Sequence, residues 1–522
     1  MDKVVIYDTT LRDGAQAEGI SFSVTDKVKI AEKLDDLGVL YIEGGWPGSN
    51  PKDREFFELF KNKKLKSAKL AAFSSTRRAN VKVEEDENLK ELLESQTPAV
   101  TIFGKTWDLH VTDVLKTSLE ENLAMIYDTI AFFKAHKKEV FFDAEHFFDG
   151  YKNNPEYAIK TILKAEEAKA DCIVLCDTNG GCLTDEVCAI IREVKKHVKT
   201  PLGFHTHNDL GLAVANSVAA VKEGCRHIQG TFNGIGERCG NADLCTIIGI
   251  LQTKMNLKAI PEKNLNKLME TSYFISEISN TTVLDNAAFV GHSAFAHKGG
   301  VHIDAMIKNP KAYEHMDPKL VGNHSRFLTS ELAGKMPILI KAQKMNVTLD
   351  KKSPEAKKLL EELQKKEHEG YQFEAADASF ELFIKRFLSK YPPFFTLEGF
   401  KVSTEKRFDG KIFAEASVRL SVNGEKRFQA SEGDGPVDAL DKALRQALTK
   451  FYSCLTEMRL TDYKVRVLDA QEATAAKVRV LIESQDDTDS WTTVGVHENI
   501  IEASWEALID SIEYKLLKEQ KK

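Results

Sequence analysis

The sequence predicts a (β/α)8 barrel followed by a smaller α/β domain. Three observations carry that expectation: eight short apolar stretches in the first half, helical patterns between them, and polar residues gathered near their C-terminal ends. The stretches occupy 4–10 (VVIYDTT), 41–45 (YIEGG), 70–75 (LAAFSS), 99–104 (AVTIFG), 139–148 (EVFFDAEHFF), 172–178 (CIVLCDT), 202–207 (LGFHTH) and 227–233 (HIQGTFN). They are rich in Val, Ile and Phe and mostly lack alternation, as strands covered on both faces do. Helical patterns lie at 24–37, 53–65, 87–93, 115–135, 155–168, 184–197 and 212–223, with another at 242–255 after the last strand. Eight strand-then-helix units in about 255 residues match a closed barrel in size and order. The rival, an open doubly wound sheet, needs a Gly-rich phosphate turn after its first strand, and Asp8 to Gly14 does not supply one.

Composition points to a cytoplasmic multi-domain enzyme. A chain of 522 residues with 42% apolar side chains has length for about three domains and ample material for large cores. Its net charge of −7 gives no general attraction to nucleic acid or anionic membranes, so neither is an expected partner. The eight cysteines contain no CxxC pair, and Cys172 and Cys176 fall inside expected strands, which reads as reduced core residues. The N-terminus runs directly into a strand, without a signal-peptide pattern or an apolar run of about 20 residues.

Four regions are expected: the barrel at 1–258, a lid subdomain at 259–325, a helical linker at 326–390 and a C-terminal domain at 391–522. The second region holds a helical stretch and the polar, Gly-bearing run GHSAFAHKGGVHIDA, which can form a lid over the catalytic face. The third is highly charged and helical from Phe327 to Phe387, a solvated helix and linker. Past Tyr391-Pro392-Pro393 the chain reads as an internal duplication of βββα units. One has strands at 394–405, 412–422 and 426–431, and the other at 460–469, 476–484 and 490–497, each followed by a helix. No catalytic cluster is apparent there, so binding of a small effector or of another subunit is its expected task.

Functional residues of such a barrel belong at strand C-termini and in the loops that follow. Those positions hold Asp8, Arg12 and Asp13; Glu43; Asp143 and Glu145; Asp177 and Thr178; His205, His207 and Asn208; and Glu237, Arg238 and Asn241. His205 and His207 sit at i and i+2 of one strand, so both imidazoles share a face and can converge on one metal ion. With Asp13 and Asn241 the set offers two nitrogens and two oxygens, leaving positions for a chelating substrate or water. Imidazoles suit Zn, Mn, Fe or Co, while the oxygens favour harder divalent ions. Arg12, beside Asp13, can stabilise a developing alkoxide or hold a substrate carboxylate; the plainer reading is a salt bridge to Glu43 or Asp8.

The segments YDTTLRDGAQ, HTHNDLG, FNGIGERCGNADL and FAHKGGVH, in this order, resemble the 2-isopropylmalate, homocitrate and citramalate synthases. These are metal-dependent barrel enzymes that condense acetyl-CoA with a 2-oxo acid. The resemblance spans the chain, including a C-terminal region similar to the family's regulatory dimerisation domain. IEGGWPGSNPKD, after strand two, is most similar to the citramalate branch, whose oxo acid is pyruvate and whose product leads to isoleucine. The resemblance implies that Asp13, His205, His207 and Asn241 hold a divalent ion (Mg, Mn or Zn) and that Arg12 activates the substrate carbonyl. It further implies that Thr178 binds the oxo-acid carboxylate, that Glu145 serves the acid/base network, and that His302 of the lid, followed nearby by the substrate-binding Tyr313, helps deprotonate the acetyl methyl group. A homodimer is implied as well. The duplication and Gly433-Asp434-Gly435 separately point to an amino-acid effector, isoleucine or leucine, where the two βββα units meet; the plainer reading of that domain is dimerisation only. Ala15 departs from the acidic residue frequent in the family's DGEQ, outside the ligand set. The alternatives are a bulkier 2-oxo acid, a metal-dependent hydroxyacyl-CoA lyase that runs the reverse type of carbon–carbon chemistry, and a non-enzymatic binding protein.

Overall fold

The computed structural model describes residues 2–327, 354–373, 376–388, 393–406, 408, 410–468, 476–487 and 489–520. The chain forms two compact units, Met1–Phe295 with His315–Ser325, and Ala296–Glu314 with Arg326–Lys522.

The first unit is a closed barrel of eight parallel strands in sequential order: β1 (Val5–Asp8), β2 (Tyr41–Gly45), β3 (Lys69–Ser75), β4 (Ala99–Lys105), β5 (Glu139–Glu145), β6 (Cys172–Asp177), β7 (Leu202–Thr206) and β8 (His227–Gly230). Closure is made by β1, which pairs with β2 at Tyr7↔Tyr41 and with β8 from Val5↔His227 to Asp8↔Gly230. The missing alternation has a physical cause: both faces of each strand are buried. Tyr7, Tyr41, Ala71, Ala99, Phe141, Cys172, Val174 and Cys176 fill the interior. Ile6, Ile42, Val100, Ile102, Phe142, Ile173, Phe204 and Ile228 join the larger core that includes the helix side chains. All eight cysteines are free thiols, five of them buried.

Three expected boundaries are corrected. The fifth strand stops at Glu145 rather than continuing to 148, because His146 adopts φ 54° and redirects the chain into the helix Phe147–Asn153. Phe147 and Phe148 are buried as that helix's apolar face, which is why the run looked like strand. The eighth strand ends at Gly230, not 233; Thr231 N–H donates to the Ala242 carbonyl at 3.1 Å, and a Cβ on Gly230 would lie 2.4 Å from that same oxygen. The expected helix at 115–135 begins at Leu119, capped by Ser118, whose side chain accepts from the Glu121 N–H. Before it comes a wide π-helical segment, His110–Leu115, closed by Lys116 at φ 54°.

In the second unit, Gly300–Lys308 is a helix, and the charged run gives the helix Pro354–His368, followed by Asp377–Phe387. The part of the linker expectation on 328–353 lies outside the described residues. The duplication is present as two separate three-stranded antiparallel sheets. Thr396–Lys406, Ile412–Val422 and Glu425–Gly433 make one; Arg459–Val467, Val478–Gln485 and Ser490–His497 make the other. Each is followed by a helix, Pro436–Thr449 and Ile500–Gln520. Here strands alternate: Ala414, Ala416, Val418, Leu420 and Val422 are buried while intervening residues are not. Those side chains share a core with Leu440, Leu444, Leu448, Leu508, Ile512 and Leu516 of the two helices. Among the described residues no helix is long and apolar enough to cross a membrane.

Candidate metal centre and active site

Closure of β1 onto β8 brings the turn after β1 beside the end of β7. Asp13 Oδ2 lies 3.6 Å from His205 Nε2 and 3.8 Å from His207 Nε2. One ligand atom from each of these buried residues lies within 4.8 Å of the others. The two imidazole rings stand 5.3 Å apart at 69°, as side chains of one strand face aimed at a common point. Asn241 pairs its backbone with His207 in an isolated bridge. Its Oδ1 is buried without a hydrogen-bond partner, as are the Nδ1 atoms of both histidines.

The electrostatics suit cation binding. Burial pushes His205 down to about 3 and lowers His207 too, against the pull of Asp13, so both rings are neutral at neutral pH with lone pairs to share. Burial works to raise Asp13, but the charge of the adjacent Arg12 and a hydrogen bond from Asn241 act against it, and the carboxylate stays ionised. Two neutral nitrogens and one carboxylate within 4.8 Å of one another, with the unpartnered amide oxygen of Asn241 on the residue paired to His207, are donors a divalent ion uses, so the residues fit the group.

Arg12 makes the salt bridge that was the plainer reading of it: its Nε donates to Glu43 Oε1 at 2.6 Å, and its Nη1 lies 3.6 Å from Asp13 Oδ2. Glu43 is fully buried and also accepts from Tyr7 and Thr9 hydroxyls, each at 2.6 Å. Asp8 instead accepts from its neighbour Thr10, and burial raises it to about 7. Asp143, raised to about 8 by burial and by Glu43, accepts from Gln229 Nε2.

Thr178 is held from both sides: its hydroxyl oxygen accepts from the His146 N–H at 2.9 Å and its carbonyl from Arg238 at 2.7 Å. Arg238 is locked in turn by Asp209. Glu145 forms an ion pair with Lys105, directly across the β4–β5 ladder. Sequence reading missed this partner, although two opposite charges ending neighbouring strands were its visible cue. His302 and Tyr313 lie in the other compact unit, where their rings stack at 4.3 Å. Phe73 and Trp46 were missed as well: the Arg12 guanidinium carbon lies 3.9 Å over the Phe73 ring, and Trp46 packs edge-on against Phe73.

Three family models match the chain: HMGL-like over residues 3–275, homocitrate synthase post-HMGL domain-like over 289–370, and the LeuA allosteric (dimerisation) domain over 374–516. The (R)-citramalate synthase of Geobacter sulfurreducens is 56% identical, the match covering 100% of this chain and 99% of that protein. The (R)-citramalate synthase of Aquifex aeolicus is 54% identical, with 99% of each chain covered. The 2-isopropylmalate synthase of Methanocaldococcus jannaschii is 32% identical over 100% of this chain and 96% of that protein. The chain belongs to the HMGL-like family of barrel enzymes, in the branch of the (R)-citramalate synthases.

Proposed function

We propose that the protein is an acyltransferase that condenses acetyl-CoA with pyruvate and water to give citramalate and CoA, a step toward isoleucine. The observation that carries this reading is the meeting of Arg12 with the Asp13, His205 and His207 cluster at the C-terminal end of the barrel strands, in a chain 56% identical to an (R)-citramalate synthase. Asp13, His205, His207 and Asn241 would hold a divalent ion, Mg, Mn or Zn. When bound, the ion supplies Lewis-acid polarisation of a carbonyl.

The protein's own groups do the rest. Arg12, anchored at Nε, leaves its Nη donors for negative charge developing on the oxo acid. Thr178 accepts a backbone hydrogen bond, which frees its O–H to donate to the substrate carboxylate. Glu145, beside Lys105, carries protons in the acid/base network. We assign His302, with Tyr313 stacked on it, to deprotonation of the acetyl methyl group. Hydrolysis of the CoA thioester then makes the condensation irreversible.

The division we propose is a catalytic barrel (1–258), a lid (259–325), a helical linker (326–390) and a regulatory dimerisation domain (391–522). The last makes a homodimer and binds an amino-acid effector, isoleucine or leucine; the match to the LeuA allosteric (dimerisation) domain supports both. Cysteine usage supports a cytoplasmic location.

The resemblance to a 2-isopropylmalate synthase favours one second reading, a bulkier 2-oxo acid. One extra methylene is worth about 1 to 3 kcal/mol of discrimination, so the two are separated by rates. Thiol release from acetyl-CoA, measured across a panel of 2-oxo acids, should be highest with pyruvate; equal or faster release with 2-oxoisovalerate overturns the choice of substrate. Cleavage of a hydroxyacyl-CoA without condensation would mark a lyase.

A further inference from the structure

The GGWPG run, which ends β2 and opens the loop after it, is not used by the proposed chemistry, yet it is held more firmly than a passive connection requires. Trp46 N–H donates to Asp53 Oδ2 at 2.8 Å, and its indole Nε1 donates to Asn88 Oδ1 at 2.7 Å. Asp53 is itself paired with the buried Lys27, which donates to the Gly44 carbonyl at 3.0 Å, and Asn88 donates onward to Ser74 Oγ at 2.5 Å. The glycines are what let the loop close so tightly. Gly45 adopts φ 145°, and a Cβ there would sit 2.3 Å from the Asp53 carboxylate; one on Gly48 would sit 2.3 Å from Asn88 Oδ1.

The clamped indole stands edge-on to two rings, 5.7 Å from Phe73 at 77° and 5.6 Å from Phe103 at 78°. Those two stack on each other at 5.2 Å and 15°. Phe73 also carries the Arg12 guanidinium on its face, 3.9 Å from the centroid. The Nε bond to Glu43 fixes one direction of the guanidinium but not the tilt of its plane. A ring face fixes that plane, through cation–π attraction and flat contact together.

Resting on the role given to Arg12 above, we infer that Trp46 is a positioning residue: it holds the Phe73 ring against the Arg12 guanidinium and so sets where the Nη donors point. Trp46 needs no contact with substrate for this. Its loss tilts the fork and removes stabilisation of developing charge, an effect on kcat more than on KM.

The test compares Trp46→Leu, Trp46→Phe, Phe73→Leu and the double variant Trp46→Leu/Phe73→Leu of the full chain, by thiol release with pyruvate and acetyl-CoA and by thermal melting. Wild-type turnover of pyruvate is the prior condition; its absence overturns the functional reading, not this one. Trp46→Leu and Phe73→Leu are each expected to lower kcat about tenfold with KM for pyruvate changed less than about threefold, and the double variant is expected to be no worse than the poorer single. Trp46→Phe, which keeps an aromatic edge on Phe73, should stay within about threefold of wild type. Unchanged kcat, losses that multiply in the double variant, or a rise in KM alone overturns the inference. If Trp46→Leu melts at assay temperature, Phe73→Leu decides by itself: kcat at the wild-type level overturns it.

Discussion

The two units each hold a cluster of polar side chains around buried residues, and the clusters differ in how their polar atoms end. In the C-terminal unit Lys515, only 1% exposed, donates to Asp486 and Glu519 at 2.9 Å and to Glu457 at 3.1 Å, and Lys518 adds a further bond to Asp486. All three protons of that ammonium have acceptors. In the barrel, His205, His207 and Asn241 are buried too, yet each keeps a side-chain atom with no partner. Buried polar groups are almost always satisfied, so the contrast sets a cluster that holds the fold against one whose ring nitrogens and carboxylate converge as a candidate cation site.

The largest expected effect follows removal of one of the imidazoles proposed to hold the ion. His207→Ala should cost thiol-release activity on the order of a thousandfold, since Lewis-acid assistance contributes several kcal/mol, while the melting temperature without added metal moves little. Activity within about tenfold of wild type would place the catalytic centre elsewhere. Lys515→Met should do the reverse. It leaves the buried Asp486 facing fewer cations, so unfolding free energy from urea titration should fall by about 3 kcal/mol while initial rates stay near wild type. The smallest effect sharpens the same point. Ser379 donates to Asp510 at 2.6 Å and accepts from the Val494 N–H at 3.0 Å. Ser379→Ala is expected to cost about 1 kcal/mol of stability in that titration and no catalysis.

The same two regions explain how much was legible in the sequence. Barrel strands read as unbroken apolar runs because both faces are covered, and the alternating burial of Ile412–Val422 belongs to a sheet covered on one side. His205 and His207 were legible as a pair because two residues of one strand share a face. Their partners Asp13 and Asn241 are 228 positions apart, and only closure of β1 onto β8 brings them together, so recognisable segments at both ends were needed to join them. Local pattern failed where one dihedral overrules composition: His146 at φ 54° turns an apolar run from strand into helix. Nor could it reveal what Arg12 rests on. Phe73 looks like any strand phenylalanine until its ring is seen beneath the guanidinium.

The barrel cluster of Asp13, His205 and His207 is proposed to bind a divalent ion. Calorimetric titration of the metal-stripped protein with Mn²⁺ tests it most directly, comparing wild type with His205→Ala and Lys515→Met. Wild type and Lys515→Met should bind one ion per chain with equal affinity, and His205→Ala should bind at least about a hundredfold more weakly. Equal binding by His205→Ala and wild type would contradict the assignment.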